Sequence, residues 1–169
     1  MIENYSKEWI PKYLEESKEI KKHFGKNIID IQHIGSTSVP NLAAKPIIDI
    51  AVLVESIEDI PKYVEMAGLL GYSYKPELSS TERIFLRKGN PVEYHLSVAS
   101  SHTPFWDRQI KFRDFLISNP EYRDEYARVK IESSTGLNKV DSQDLTLSQE
   151  YNSGKTPFIE KLLGIIYKN

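Results

Sequence analysis

No cysteine occurs anywhere in the chain, so disulfides, thiolate nucleophiles and cysteine-ligated zinc are excluded. No apolar run approaches the roughly 20 residues that span a bilayer, so a membrane is not an expected partner. There is also no excess of charge of one sign. The 22 Lys and Arg residues against 24 Asp and Glu leave a net −2, so no global basic field favours duplex DNA, although a local basic groove stays open. The opening stretch MIENYSKEWIPKYLEESKEIKK is polar and periodic, unlike a secretory signal with its continuous apolar core. A reduced, cytoplasmic setting is the expectation.

What is present is the composition of an ordinary globular protein, 169 residues with 40% hydrophobic and 27% charged. That length predicts one domain over residues 1–169. Residues 6–24 read as a helix, with Ser6 as its cap, Trp9, Ile10, Tyr13, Leu14, Ser17 and Ile20 at helical spacing, and Gly25 to end it. Ile28–Ile34 reads as a short strand. The nearly continuous apolar run PIIDIAVLV, Pro46–Val54, suits a strand buried on both faces. Residues 57–70 predict an amphipathic helix, and 72–75, 82–88 and 92–98 predict strands. From Pro104 onward the pattern is helical, with breaks near Pro120, Gly136 and Gly154–Pro157 that divide it into three or four helices. The predicted fold class is α/β (α+β): a mixed sheet flanked by helices, with a C-terminal helical segment that packs on the sheet and hides its apolar stripe there.

Asp49 is the most informative residue. It lies among Ile47, Ile48, Ile50, Val52 and Leu53, where a carboxylate needs a partner or a metal. A structural ion pair is the plain alternative. Upstream, the strand ending at Ile34 runs into Gly35, Ser36, Thr37 and Ser38. Glycine permits a bend and close ligand approach, and the hydroxyls with a helix N-terminus suit phosphate. Alone, such a turn reads equally well as a helix cap.

Further along, Glu93, His95 and Ser97 alternate with Val92, Tyr94, Leu96 and Val98. This brings a carboxylate and an imidazole to one face of a strand as candidate metal ligands or a general base beside Asp49. Among basic residues, Lys45, Arg83, Arg113 and Lys130 are the candidate phosphate contacts, with Arg87 four residues from Arg83 on the same face. His33, two residues before the turn, is expected to point the way Gly35 does. His23 and His102 read as surface residues.

The Gly-Ser turn followed, after residues 37–48, by an acidic strand resembles the nucleotidyltransferases of the DNA polymerase β type. The segment HIGSTSVPNLAAKPIIDIAV, residues 33–52, resembles the signature of the GrpB family of that superfamily. Trp9, EYHLSV at 93–98, KFRDFLISNPEYRDEYARVK at 111–130, Tyr151 and KTPFIEKLL at 155–163 extend the resemblance along the chain. It implies a nucleotidyltransferase-like fold, a nucleotide or other phosphorylated small molecule held at Gly35–Ser36, and Mg²⁺ held by Asp49 with Glu93 or His95. Nucleotidyl transfer is the reaction it implies. The position of the second carboxylate is occupied by Ala51, on the same side of the strand as Asp49. That substitution favours a non-catalytic binding module that keeps the fold and the pocket. A third reading is a metal-assisted phosphohydrolase using Asp49, Glu93 and His95.

Overall fold

A computed structural model describes residues 1–135 and 145–168, with the backbone alone for 145–151. Helix α1 (Trp9–Phe24) and strand β1 (Asp30–Ile34) come first. Strand β2 (Ile48–Val54), helix α2 (Ile60–Gly68), and strands β3 (Ser73–Tyr74), β4 (Arg83–Lys88) and β5 (Tyr94–Ser100) follow. The tail is α3 (Phe105–Ser118), α4 (Pro120–Ser134) and α5 (Leu145–Lys168).

The five strands form one mixed sheet in the order β1-β2-β5-β4-β3. Strands β2 and β5 run parallel at its centre, and the other pairings are antiparallel. The sheet explains the continuous apolar run. Ile48, Ile50, Val52 and Val54 point to one face, where Leu96, Val98, Ile84 and Leu86 join them against Ile20 and Phe24 of α1 and Tyr63 and Ala67 of α2. The alternate residues Asp49 and Ala51 point the other way.

The tail helices form a second cluster beneath that opposite face. Leu116, Tyr126, Phe158 and Leu162 pack together with Val39 and Leu42 of the loop before β2. The tail therefore buries its apolar stripe mainly on itself and this loop, not on the sheet as expected, because the centre of the facing strands carries Asp49, His95, Ser97 and Arg83.

Several boundaries move. Helix α1 begins at Trp9, since Ser6 accepts the Glu8 amide in a preceding turn. Asp59 accepts the Lys62 amide and caps α2, which carries Pro61 in its first turn, so this helix begins after residue 57. Pro120 opens α4, as a proline suits a first turn. Gly154 and Pro157 do not divide the tail, because α5 runs through both. A Cβ on Gly154 would collide with Ser133 of α4, so this glycine permits close helix packing. The expected break at Gly136 lies outside the described residues. Among the described residues no helix is long and apolar enough to cross a membrane.

Candidate functional site

Between the polar face of the sheet and the tail helices lies a cleft made of two adjoining hollows of about 500 and 290 Å³. Gly35, Ser36, Asp49, Gln109, Lys155 and Ile159 border both. At its floor, Asp49 of β2 is paired in register with His95 of β5, and His95 Nδ1 lies 2.9 Å from Asp49 Oδ1. The carboxylate accepts, so this nitrogen carries the proton and the opposite ring nitrogen is left unprotonated in the neutral ring. Phe85 sets its ring edge-on at 5.0 Å from the imidazole.

Gly35 closes on the same carboxylate from β1. Its φ of 70° is a conformation that L side chains rarely adopt. A Cβ there would stand 2.9 Å from Asp49 Cγ and closer still to Oδ2. Glycine is therefore required twice, by the backbone and by the carboxylate. A single turn of 3₁₀ helix, Ser36–Ser38, follows. Ser36 is hydrogen-bonded to the buried Tyr126, whose phenol burial pushes up to about 12.

The lining also carries several cations. Lys130 of α4 is almost wholly buried and donates to the Ala43 carbonyl. Burial holds its amine down at about 7, with nearby Lys155 adding to the effect and Asp49 opposing it. Lys155 of α5 is held at about 8, again chiefly by burial, with Asp49 opposing and Lys45 reinforcing. Burial also lowers Lys45. Arg83 donates to Ser97 Oγ at 2.8 Å and lies over the Phe85 and Phe105 rings at 4.5 and 5.1 Å. These groups surround one carboxylate, an arrangement suited to an anionic ligand.

The expected residues largely converge. Gly35, Ser36, Thr37, Lys45, Asp49, Arg83, His95 and Lys130 all border the larger hollow, and Arg113 borders the smaller. Two of them have inward structural duties. Thr37 is buried, donates to the Ile47 carbonyl and meets His33 Nε2 at 2.9 Å. Arg113 is tied to Gln32 and to the His33 carbonyl, joining α3 to β1.

Glu93 does not join the site. It precedes β5 in a turn where its amide donates to the Lys88 carbonyl, and its half-exposed carboxylate lies 4.0 Å from Lys12 of α1. His33 also faces away from the cleft, because Ile34 is the β1 residue opposite Asp49. Its ring stacks on Tyr13 at 4.8 Å, and burial lowers its pKa to about 4. His102 is an exposed partner of Glu55, as expected of a surface residue. Sequence reasoning missed Tyr126, Lys155, Arg108 and Gln109 as lining residues. Only the four-residue spacing of Tyr126 and Lys130, which stacks them on one helical face, could have pointed to the first.

The donor set does not build a cage for Mg²⁺. Asp49 shares one oxygen with His95, His95 spends a ring nitrogen on it, Ala51 contributes nothing, and Glu93 lies elsewhere. Among the described residues no three His, Asp or Glu side chains gather as a cluster that could hold a metal ion. A divalent ion ordinarily takes several oxygen ligands, and the neighbouring lysines would repel it.

The chain is 39% identical over 127 residues to the UPF0157 protein YqkA of Bacillus subtilis, across 75% of this chain and 37% of that protein. It thus spans little over a third of that relative's length. It is 28% identical over 137 residues to a dephospho-CoA kinase of Mycolicibacterium paratuberculosis, across 66% of this chain and 34% of that protein. In structure it is similar to the conserved protein GrpB from Enterococcus faecalis, with a TM-score of 0.86 and 31% identity over 99% of this chain and 98% of that one. The Cid1 poly(U) polymerase with MgGTP bound gives a TM-score of 0.54 at 12% identity, over 79% of this chain and 44% of that one. This second likeness is one of fold: a mixed sheet and flanking helices of the nucleotidyltransferase kind. The family model described as GrpB protein matches residues 1–164, and the chain belongs to the GrpB family.

Proposed function

We propose that this chain binds the phosphate groups of a nucleotide or another phosphorylated small molecule in the cleft, using its own cations instead of a protein-held metal. The observation that carries this reading is the convergence of Lys45, Arg83, Lys130 and Lys155 on a hollow that holds Asp49 beside the Gly35–Ser36 turn. Lysines held below their usual range by burial gain from a bound anion, which restores the environment their charged forms lack. Mg²⁺, where it enters, comes on the ligand's own phosphate oxygens, with Asp49 as at most one further ligand. The names of two similar proteins suggest the first probes. Cid1 was crystallised with MgGTP, and one similar protein is a dephospho-CoA kinase, so nucleoside triphosphates and coenzyme A derivatives come first.

The test is calorimetric titration of these compounds, with and without Mg²⁺, on the wild type and on Gly35→Val, Lys155→Met and Asp49→Asn. Metal-independent affinity in the wild type and Asp49→Asn, lost in Gly35→Val and weakened about tenfold in Lys155→Met, supports the reading. An absence of binding across the panel in the wild type, or binding indifferent to both Gly35→Val and Lys155→Met, overturns it.

A second reading, nucleotidyl transfer, is favoured by the contact between His95 and Asp49. Asp49 fixes the ring, and the opposite nitrogen takes the proton of an acceptor hydroxyl as its oxygen attacks the α-phosphorus and pyrophosphate leaves. Transfer of a radiolabelled nucleotide that His95→Gln abolishes while nucleotide affinity persists supports it. Absence of transfer to any of a panel of hydroxyl compounds leaves the binding reading in its place.

A further inference from the structure

Arg87 on β4 carries the only buried side-chain nitrogen or oxygen without a hydrogen-bond partner among the described residues, its Nε. A buried donor left without an acceptor is costly, so its persistence asks for an acceptor supplied from outside the chain. The register places it. Arg87 is the cross-strand partner of His95, His95 is the partner of Asp49, and Asp49 is the partner of Ile34, the residue before Gly35. With neighbouring strands ~4.8 Å apart, Arg87 stands on a strand roughly 10 Å from that of Asp49 and about 14 Å from the one leading to Gly35. The guanidinium is held 5.7 Å from the centre of its own strand's Phe85 ring.

The neighbouring charges sharpen the point. The other arginines of the region have acceptors, Arg83 in Ser97 and Arg108 in Glu82. Carboxylates nearby are engaged elsewhere: Asp49 on His95, Glu93 towards Lys12, and Glu16 on Lys88. Lys45 borders the same hollow, close enough to Arg87 that, after burial, the guanidinium is what lowers its amine. Two cations facing one half-buried space match a dianion better than a singly charged carboxylate, and an arginine with Nε available can grip two oxygens side-on.

We propose that Arg87 and Lys45 form a second anion subsite, across His95 from the Gly35–Ser36 turn, which takes the phosphate of a phosphate monoester bearing a hydroxyl. This rests on the reading of the cleft as a nucleotide site. It deepens that reading by naming a second ligand: an acceptor whose phosphate sits at Arg87 and whose hydroxyl meets His95. The cleft then holds two phosphorylated molecules with the Asp49–His95 pair between them.

The experiment titrates inorganic phosphate into protein saturated with a non-hydrolysable ATP analogue, in the wild type, Arg87→Gln and Arg87→Lys, each checked by thermal melting. Phosphate is expected to bind the saturated wild type and to weaken about tenfold or more in Arg87→Gln, with analogue affinity changed by no more than about twofold. Arg87→Lys keeps the charge and loses the side-on grip, so it recovers only part of the affinity. It also carries the test if the glutamine variant does not fold.

Phosphate affinity indifferent to both substitutions overturns the proposal, as does failure of phosphate to bind the saturated wild type. Acetate binding as tightly as phosphate overturns the phosphate assignment. If the analogue itself does not bind, the nucleotide reading fails separately, and phosphate is titrated into free protein. There, sensitivity to Arg87→Gln supports the subsite and insensitivity removes it.

Discussion

The two faces of the central sheet are built from the same strands, one residue apart, and they differ in nearly everything. On the helix side Ile48, Ile50, Val52 and Leu96 are shut off from solvent against α1 and α2. On the cleft side the alternating residues are Asp49, Ala51, His95 and Ser97, with Arg83 and Arg87 from the next strand. The first face is complementary to the protein itself. The second joins the tail helices across a polar hollow that gathers several cations around Asp49 and holds the unpaired Nε of Arg87. Stability is concentrated on one face and unmet binding capacity on the other, so changes one residue apart are expected to separate the two properties.

The largest effect is expected from the helix side. Ile50→Ala removes a fully buried side chain from the centre of the core. Chemical denaturation should show a loss of about 2–5 kcal/mol, the range for such truncations. Under conditions where the variant remains folded, ligand affinity should stay within about twofold of the wild type, because the neighbouring Asp49 keeps its face. A large loss of affinity in folded Ile50→Ala would show that the two faces are not independent.

The next residue inverts the experiment. Ala51 is fully buried on the cleft side, with Gln32 and Ser97 as its cross-strand partners. Ala51→Asp puts a second carboxylate on the side of Asp49. Without metal it should cost about 1–3 kcal/mol, the penalty of an ill-satisfied buried polar group. With Mg²⁺ and a nucleoside triphosphate that loss should be recovered, since two carboxylates and the phosphate oxygens now complete a shell. Thermal melting with and without metal reads both halves. If Mg²⁺ stabilises the wild type as strongly as Ala51→Asp, one carboxylate suffices and the metal-free account of the cleft falls.

How much of this was legible in advance follows the same division. The apolar run of β2 announces a strand buried on both faces, and the alternation within it separates Asp49 from Ile48 and Ile50. That counting carries to His95, because β5 runs in register beside β2. It fails at Glu93, which lies in the turn before β5 with its carboxylate towards Lys12 of α1, and at His33, because Ile34 rather than His33 sits opposite Asp49. Gly154 read as a helix break because a chain pattern cannot reveal that Ser133 passes against it. Lys155 opens the KTPFIEKLL segment of the family resemblance, but only the placement of α5 across the cleft turns it into a neighbour of Asp49.

The smallest expected effect is a pH dependence in which stability and binding move in opposite directions. Lys130 and Lys155 hold their protons less tightly in the folded protein, at about 7 and 8, than a lysine usually does. Between those values and the ordinary lysine range, the unfolded chain binds more protons than the folded one, so stability of the free protein should rise as pH increases through this window. Anion binding requires the charged amines, so affinity should fall over the same interval. Asp49 opposes the depression of both lysines, and Lys45 adds to that of Lys155, so an added anion should draw protons back on. Calorimetry from pH 7.5 to 9.5, roughly the span over which Lys155 titrates, should show a fall in nucleotide affinity of about tenfold. At pH 8, net proton uptake on binding should appear as a heat that changes with the buffer's ionisation enthalpy. Lys155→Met should flatten most of the affinity slope and shrink the uptake, while the rise in stability that belongs to Lys130 persists. An affinity independent of pH in the wild type would mean that neither amine meets the ligand, leaving the guanidinium group of Arg83 as the cation that holds it.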